Sequence, residues 1–237
     1  RPYRNAAGGD ELRDTLCRES VTYTVRRNNI EVAASHRFCN AAPVTIAIYY
    51  GMQSMFEGET HVLTPGGAYT DWTEVAKAST FTKQEHPLFR RYVEKNRQGY
   101  QSTWLLPDGL GDHALLDGQD DIFIYAPYGK SYHKLIGNKR IKNGDKTCWR
   151  GVYTWFETPV ADDADLLCYE GSAGGHTAVF IDCKRACKRT LALPGYLDLR
   201  HFGTAEQNGG IRISAAGRNK LKIKAGAPGS CVLLLRE

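Results

Sequence analysis

Short segments in which apolar and polar residues alternate recur along the whole chain. A period of two is typical of half-buried β-strands, whereas helices repeat their apolar positions about every 3.6 residues. The chain therefore predicts an all-β fold. The segments that show alternation or β-branched runs are 20–26, 30–34, 44–50, 69–75, 122–126, 149–156, 177–182, 210–214, 221–224 and 231–235.

Turn-forming residues separate these segments, for example at Pro65-Gly66-Gly67, Asn143-Gly144 and Pro228-Gly229. Many short strands joined by such turns predict a mostly antiparallel β-sandwich or barrel. One segment has helical spacing instead. Residues 84–98 carry a predicted apolar stripe between Glu85 and Gly99, and a second short helix is expected after residue 10.

The length of 237 residues leaves the number of domains open. The glycine-rich stretch 171–175 is the most flexible in composition. We therefore predict a β-sandwich domain over 1–170, with the helix near 84–98, followed by a basic β-rich part over 171–237 that is either separate or within the same domain.

Composition indicates a globular protein, since 42% of residues are hydrophobic and 24% are charged. No apolar run approaches the roughly 20 residues of a spanning helix, so no transmembrane helix is expected. The chain starts with Arg-Pro-Tyr, which we interpret as the product of a processed secretory precursor.

Seven cysteines are spread over the chain, unlike the paired clusters of zinc ribbons. This distribution favours disulfides in an oxidising, extracellular compartment, with one thiol left over. Cys183 and Cys187 are the only closely spaced pair. They form a disulfide with each other or pair separately.

Charge is organised in blocks, within an overall net charge of +5. Residues 108–121 and 157–170 each carry five acids and no base, whereas 130–150 carry seven bases and one acid. Residues 184–224 carry ten bases and two acids. Such blocks either neutralise one another within one molecule or mediate self-association or binding of a polyanion or an anionic surface.

Alternation in 218–224 places three lysines on one face of a strand. Such a row either binds an anion or protects a sheet edge from aggregation. Specific nucleic-acid binding is not expected, because the chain lacks an RNP-like motif, a recognition helix and a zinc module. The predicted binding residues of the last basic block are Lys184, Arg185, Lys188, Arg189, Lys220, Lys222 and Lys224.

Two other interpretations use different residues. His176 heads an apolar strand after a Gly-rich turn and resembles the His-bearing strand of papain-like and cell-wall amidase cysteine hydrolases. That resemblance implies a hydrolase in which Cys148 is the nucleophile and Asp182 orients the histidine. Exposed aromatic residues, above all Trp149 and Trp155, would instead suit a carbohydrate-binding module.

Two acidic clusters could supply the oxygen ligands that calcium prefers, although neither has EF-hand spacing. Solvated acidic loops are the simpler interpretation, and no other cofactor is expected. The clusters are Asp117, Asp120 and Asp121, and Asp162, Asp163 and Asp165.

Four segments follow one another in a recognisable order: Arg37-Phe-Cys-Asn40, Val44–Tyr50, Leu63-Thr-Pro-Gly66 and Phe123-Ile-Tyr-Ala126. This order resembles a family of small, uncharacterised, secreted bacterial β-sandwich proteins. The resemblance implies a sandwich and no transferable activity. The sequence therefore predicts a secreted, disulfide-stabilised structural or binding protein rather than an enzyme.

Overall fold

The computed structural model describes residues 15–55, 60–78, 80–106, 121–126 and 130–235, together with three short strands before residue 12. The prediction of an all-β, mostly antiparallel fold is confirmed, and every strand pair in the described part of the chain is antiparallel. No helix within these residues has both the length and the apolar surface that crossing a membrane requires.

Fourteen of the strands form what we call the N-terminal half. One turn of 3₁₀ helix, η1 (Val75–Lys77), lies among them. The strands are β1 (Pro2–Tyr3), β2 (Ala6–Ala7), β3 (Asp10–Glu11), β4 (Cys17–Arg26), β5 (Asn29–Phe38), β6 (Val44–Met55), β7 (His61–Leu63), β8 (Thr73–Glu74), β9 (Phe81–Thr82), β10 (Arg91–Asn96), β11 (Gly99–Leu105), β12 (Asp121–Ala126), β13 (Lys130–Ile141) and β14 (Lys146–Phe156).

Eight further strands form the C-terminal half. They are β15 (Ala161–Asp162), β16 (Leu166–Ala173), β17 (His176–Cys183), β18 (Cys187–Ala192), β19 (Phe202–Gln207), β20 (Arg212–Ala215), β21 (Lys220–Ala225) and β22 (Gly229–Leu235).

Each half contributes two large sheets. The N-terminal half forms an eight-stranded sheet, in the order β1-β4-β5-β14-β11-β10-β7-β8, and a four-stranded sheet, β6-β13-β12-β9. The C-terminal half forms a five-stranded sheet, β15-β16-β17-β22-β19, and a three-stranded sheet, β18-β21-β20. Strands β2 and β3 make a separate small hairpin.

The sheets stack face to face like successive sandwiches. One face of the eight-stranded sheet packs on the four-stranded sheet, as where Leu105 meets Met52. Its other face packs on the five-stranded sheet, as where Trp104 meets Phe180. The far face of the five-stranded sheet covers the three-stranded sheet, whose Leu221 is buried in that core. The three-stranded sheet is therefore an outer layer.

The predicted helix over 84–98 is wrong, because this segment contains turns followed by strand β10. Tyr92 faces the four-stranded sheet and Val93 faces the five-stranded sheet. Adjacent residues are thus both apolar because both faces of the strand are buried, which produces the spacing of a helical stripe.

The glycine-rich stretch 171–175 lies within one sheet. Gly174 and Gly175, with φ of 58° and 88°, form the two-residue turn of the β16–β17 hairpin. Positive φ at both central residues is the geometry of a tight hairpin turn. The predicted division between 170 and 171 therefore falls inside strand β16, and the change between sheet pairs comes instead between 156 and 161.

Candidate functional site

The outer face of the three-stranded sheet carries five exposed basic side chains, which we call the lysine face. Strand register sets their arrangement. Lys188 lies opposite Lys224, and Lys224 lies opposite Arg212, so three cations form one row across three strands. Lys222 lies in the next row between Thr190 and Ser214, and Lys220 follows. The predicted placement of Lys220, Lys222 and Lys224 on one face is confirmed by the exposure pattern of β21.

The opposite face of the same sheet fixes this orientation. Strand β21 alternates exposed lysines with Leu221, Ile223 and Ala225, which are buried against the five-stranded sheet. A one-residue slip would expose all three apolar side chains and bury the lysines. The core thus holds the lysine face toward solvent.

These five cations have no ion-pair partner in the part of the chain that the structure describes. Like charges directly opposite each other across strands are destabilising. A shallow groove of about 440 Å³ runs over this sheet, lined by Lys188, Arg212, Ser214, Lys222 and Lys224 among others. The surface therefore holds a concentrated positive charge that the described residues leave uncompensated.

The other predicted binding residues of the last basic block form ion pairs within the molecule. Lys184 is buried and donates to Asp162 at 2.8 Å. Arg189 binds both Asp163 and Asp165 at 2.9 Å, and Arg185 donates to Asp165 at 2.7 Å. Within the molecule, the partners of Lys184, Arg185 and Arg189 are therefore the carboxylates of the acidic block.

The same contacts engage the three carboxylates of the calcium hypothesis, Asp162, Asp163 and Asp165. Burial opposes ionisation of Asp162, but hydrogen bonds from Lys184, Trp72 and Lys95 hold its pKa at about 2. Lysine and arginine side chains thus supply the positive charge that a calcium ion would bring. Within the described ranges, no group of three His, Cys, Asp or Glu is placed to hold a metal. Asp117 and Asp120, and the side chain of Asp121, lie outside the described residues.

The structure does not assemble the predicted cysteine hydrolase. His176 and Asp182 occupy the two ends of β17, about 20 Å apart at the usual rise of an extended strand. Cys148 lies on β14 of a different sheet, opposite Ser35. Asp182 is instead buried in an ion pair with Arg91. These three residues cannot act as one catalytic unit.

The two tryptophans proposed for sugar binding have different environments. Trp149 is buried, and its indole Nε1 donates to the Tyr49 hydroxyl at 3.0 Å, so it is corrected to a core residue. Trp155 is exposed and stacks on Tyr153 with ring centroids 5.9 Å apart. Of the two tryptophans, Trp155 is therefore the accessible one.

A cleft of about 310 Å³ separates the two halves and contains His86, Glu85, Asp182 and Asn208. The carboxylates of Asp182 and Glu85 and the side-chain oxygen of Asn208 are already engaged by the protein. Arg91 holds Asp182 through two nitrogen–oxygen contacts of 2.7 and 2.5 Å, and Glu85 accepts hydrogen bonds from Thr82. The side-chain Oδ1 of Asn208 accepts a hydrogen bond from the backbone N–H of Ser230. The cleft thus lacks a free acid–base pair among these groups.

The cysteines lie mostly in the interior. Burial raises the pKa of Cys168 and Cys183 well above the usual thiol range, and raises the pKa of Cys231 to about 12. A raised pKa disfavours the reactive thiolate. The sulfur atoms of Cys183 and Cys187 lie 3.6 Å apart as thiols. The pair is close enough for the predicted disulfide to need only a small adjustment.

The sequence predicts Arg212 as part of the basic block but not as part of the lysine face. Its position depends on the pairing of β20 with β21, and the weak alternation of 210–214 carried no indication of that register. Comparisons with protein-family models, curated proteins and solved structures find no match.

Proposed function

We propose that the protein binds a linear anionic polysaccharide through the lysine face. The observation that carries this proposal is the row Lys188–Lys224–Arg212, in which three cations without an ion-pair partner among the described residues lie side by side on a solvent-exposed sheet. Folding gains nothing from this repulsion, so an external anion is the natural counter-charge.

The spacing of the cations supports a polymer with closely spaced charges. Neighbouring strands lie about 4.8 Å apart, and alternate residues on one strand about 6.8 Å apart. Strand β21 therefore carries a line of three cations, Lys220, Lys222 and Lys224. The neighbouring strands β18 and β20 add Lys188 and Arg212 on either side of Lys224. Sulfate or carboxylate groups on successive sugars would meet several cations at once.

The surroundings favour a polysaccharide over a nucleic acid or a lipid surface. The exposed positions between the cations are Thr190, Ala192 and Ser214, which offer no ring for base stacking. They also offer no large apolar side chain to enter a bilayer, as interfacial anchors do. Because these side chains are small, the sheet surface between the cations is open to a hydrated polymer.

The proposal includes an extracellular location, where acidic polysaccharides and disulfides are both common. Cys183 and Cys187 join the end of β17 to the start of β18, which carries Lys188. A disulfide between them would anchor the edge strand of the lysine face to the five-stranded sheet.

Heparin, a sulfated polysaccharide, is the probe for this proposal. We expect isothermal titration to show binding whose affinity falls steeply with salt, since each released counterion contributes to the slope. Unsulfated dextran controls for sugar contacts alone. Duplex DNA of the same charge and vesicles rich in phosphatidylserine serve as competing anions, and both should bind more weakly.

Two results would contradict the proposal. The first is absence of heparin binding at low salt. The second is stronger binding to duplex DNA or to the vesicles, which would assign the lysine face to that other partner.

A further inference from the structure

Strand β4 leaves one of its edges open over most of its length. Strand β5 pairs with β4 from Cys17 to Arg26. On the other side, β1 pairs only with Cys17 and Arg18. From Glu19 to Arg26, no strand in the described part of the chain pairs with this edge. The backbone amide and carbonyl groups that point outward there form a template for another strand.

The usual protection of an edge strand is missing here. Residues 20–25 read Ser-Val-Thr-Tyr-Thr-Val and contain no charge, proline or glycine. Monomeric proteins normally place lysine, proline or a bulge on such an edge. Tyr23 and Val25 are also 66% and 67% exposed on one face of this strand.

The exposed apolar surface continues across the neighbouring strands. Val25 lies opposite Ile30, and Ile30 lies opposite Tyr153. Tyr153 stacks on the exposed Trp155. The open edge therefore borders an apolar strip in which Val25 and Trp155 are exposed, while Ile30 and Tyr153 are partly buried against the core shared with the four-stranded sheet.

We propose that a second copy of this chain pairs with β4 in an antiparallel, two-fold symmetric dimer that extends the eight-stranded sheet. A two-fold axis perpendicular to the sheet keeps equivalent faces on the same side, so residues that face each other must both be odd or both be even in number. Only alternate registers satisfy this condition.

The palindromic order Val-Thr-Tyr-Thr-Val of residues 21–25 favours one register among these. Centring the axis on Tyr23 pairs Val21 with Val25 and Thr22 with Thr24. Centring it on Thr22 would place Arg18 opposite Arg26, two like charges, at a position where β1 already pairs with Arg18. The favoured register thus unites the apolar side chains and the threonines, and both kinds of pair stabilise paired strands.

Sedimentation velocity over a wide range of protein concentration tests this dimer, without any polyanion present. We expect a wild-type dimer, and at least a tenfold weaker dimer for the double variant Tyr23→Lys and Val25→Lys. The matched control is Ile48→Lys with Tyr196→Lys, because these side chains are also exposed, at 52% and 70%, but lie elsewhere. Circular dichroism confirms that each variant folds.

A charge exchange keeps the test decisive if the lysine variant fails to fold. Thr22→Glu with Thr24→Glu should weaken the dimer by placing two carboxylates opposite each other, whereas Thr22→Glu with Thr24→Lys should pair opposite charges and keep the dimer. A wild-type protein that stays monomeric overturns the proposal and leaves the edge to a strand of a different protein. So does a dimer that Tyr23→Lys with Val25→Lys or Thr22→Glu with Thr24→Glu leaves intact, or one that the control pair dissociates equally.

Discussion

Asp182→Ala is expected to lower the free energy of unfolding by about 3–5 kcal/mol, as removal of one partner from a buried ion pair generally does. The Arg91 guanidinium is fully buried and contacts both Asp182 oxygens. Without the carboxylate, it keeps only the Tyr169 hydroxyl, at 2.8 Å, as a hydrogen-bond acceptor among the described residues. An uncompensated charge would then remain between the two halves. Urea denaturation followed by tryptophan fluorescence and circular dichroism measures the loss.

Two controls separate this effect from simple loss of a carboxylate. Asp198→Ala removes a carboxylate from the exposed pair with Arg200 and should leave the unfolding midpoint unchanged. The double variant Arg91→Met with Asp182→Leu replaces the buried pair by apolar groups and should recover most of the stability. If Asp182→Ala behaves like Asp198→Ala, the ion pair does not hold the two halves together.

The triple variant Lys222→Gln, Lys224→Gln and Arg212→Gln is expected to weaken heparin binding by about 100-fold at low salt. Each lysine or arginine near an anionic surface contributes about 1 kcal/mol, so three lost contacts correspond to roughly two powers of ten. The slope of log affinity against log salt should also fall by about three units. Isothermal titration at several salt concentrations measures both quantities.

A second triple variant has the same net charge as the first but leaves the lysine face intact. Arg140→Gln, Lys142→Gln and Lys146→Gln removes the same residue types from exposed positions in the N-terminal half. It should bind heparin nearly as well as the wild type. Equal losses in the two variants would mean that net charge, rather than the lysine face, determines binding.

The fold was predictable where a strand has one face in water. Residues 221–224 alternate because Leu221 and Ile223 are buried while the lysines are exposed. The prediction failed over 84–98 because β10 lies in a sheet that is covered on both sides. Strand β16 was missed for the same reason, since Cys168 and Tyr169 face different cores and the alternation disappears.

The candidate site was predictable only in part. Alternation along a single strand was enough for Lys220, Lys222 and Lys224. The contributions of Lys188 and Arg212 depend on which residues pair across β18, β21 and β20. Likewise, the assignment of Lys184 and Arg189 to the acidic block depends on three-dimensional contacts with Asp162 and Asp163. Of the alternatives for the charge blocks, neutralisation within one molecule therefore applies to these residues, while the lysine face has no ion-pair partner in the described ranges.

Lysine acetylation with and without heparin tests the central claim most directly. Mass spectrometry reads the modification of each exposed lysine separately, so the bound surface is located without any mutation. We predict that heparin protects Lys188, Lys220, Lys222 and Lys224, whereas Lys142 and Lys146 react equally in both states. Protection of Lys142 and Lys146 with unchanged reactivity of the lysine face would contradict the account.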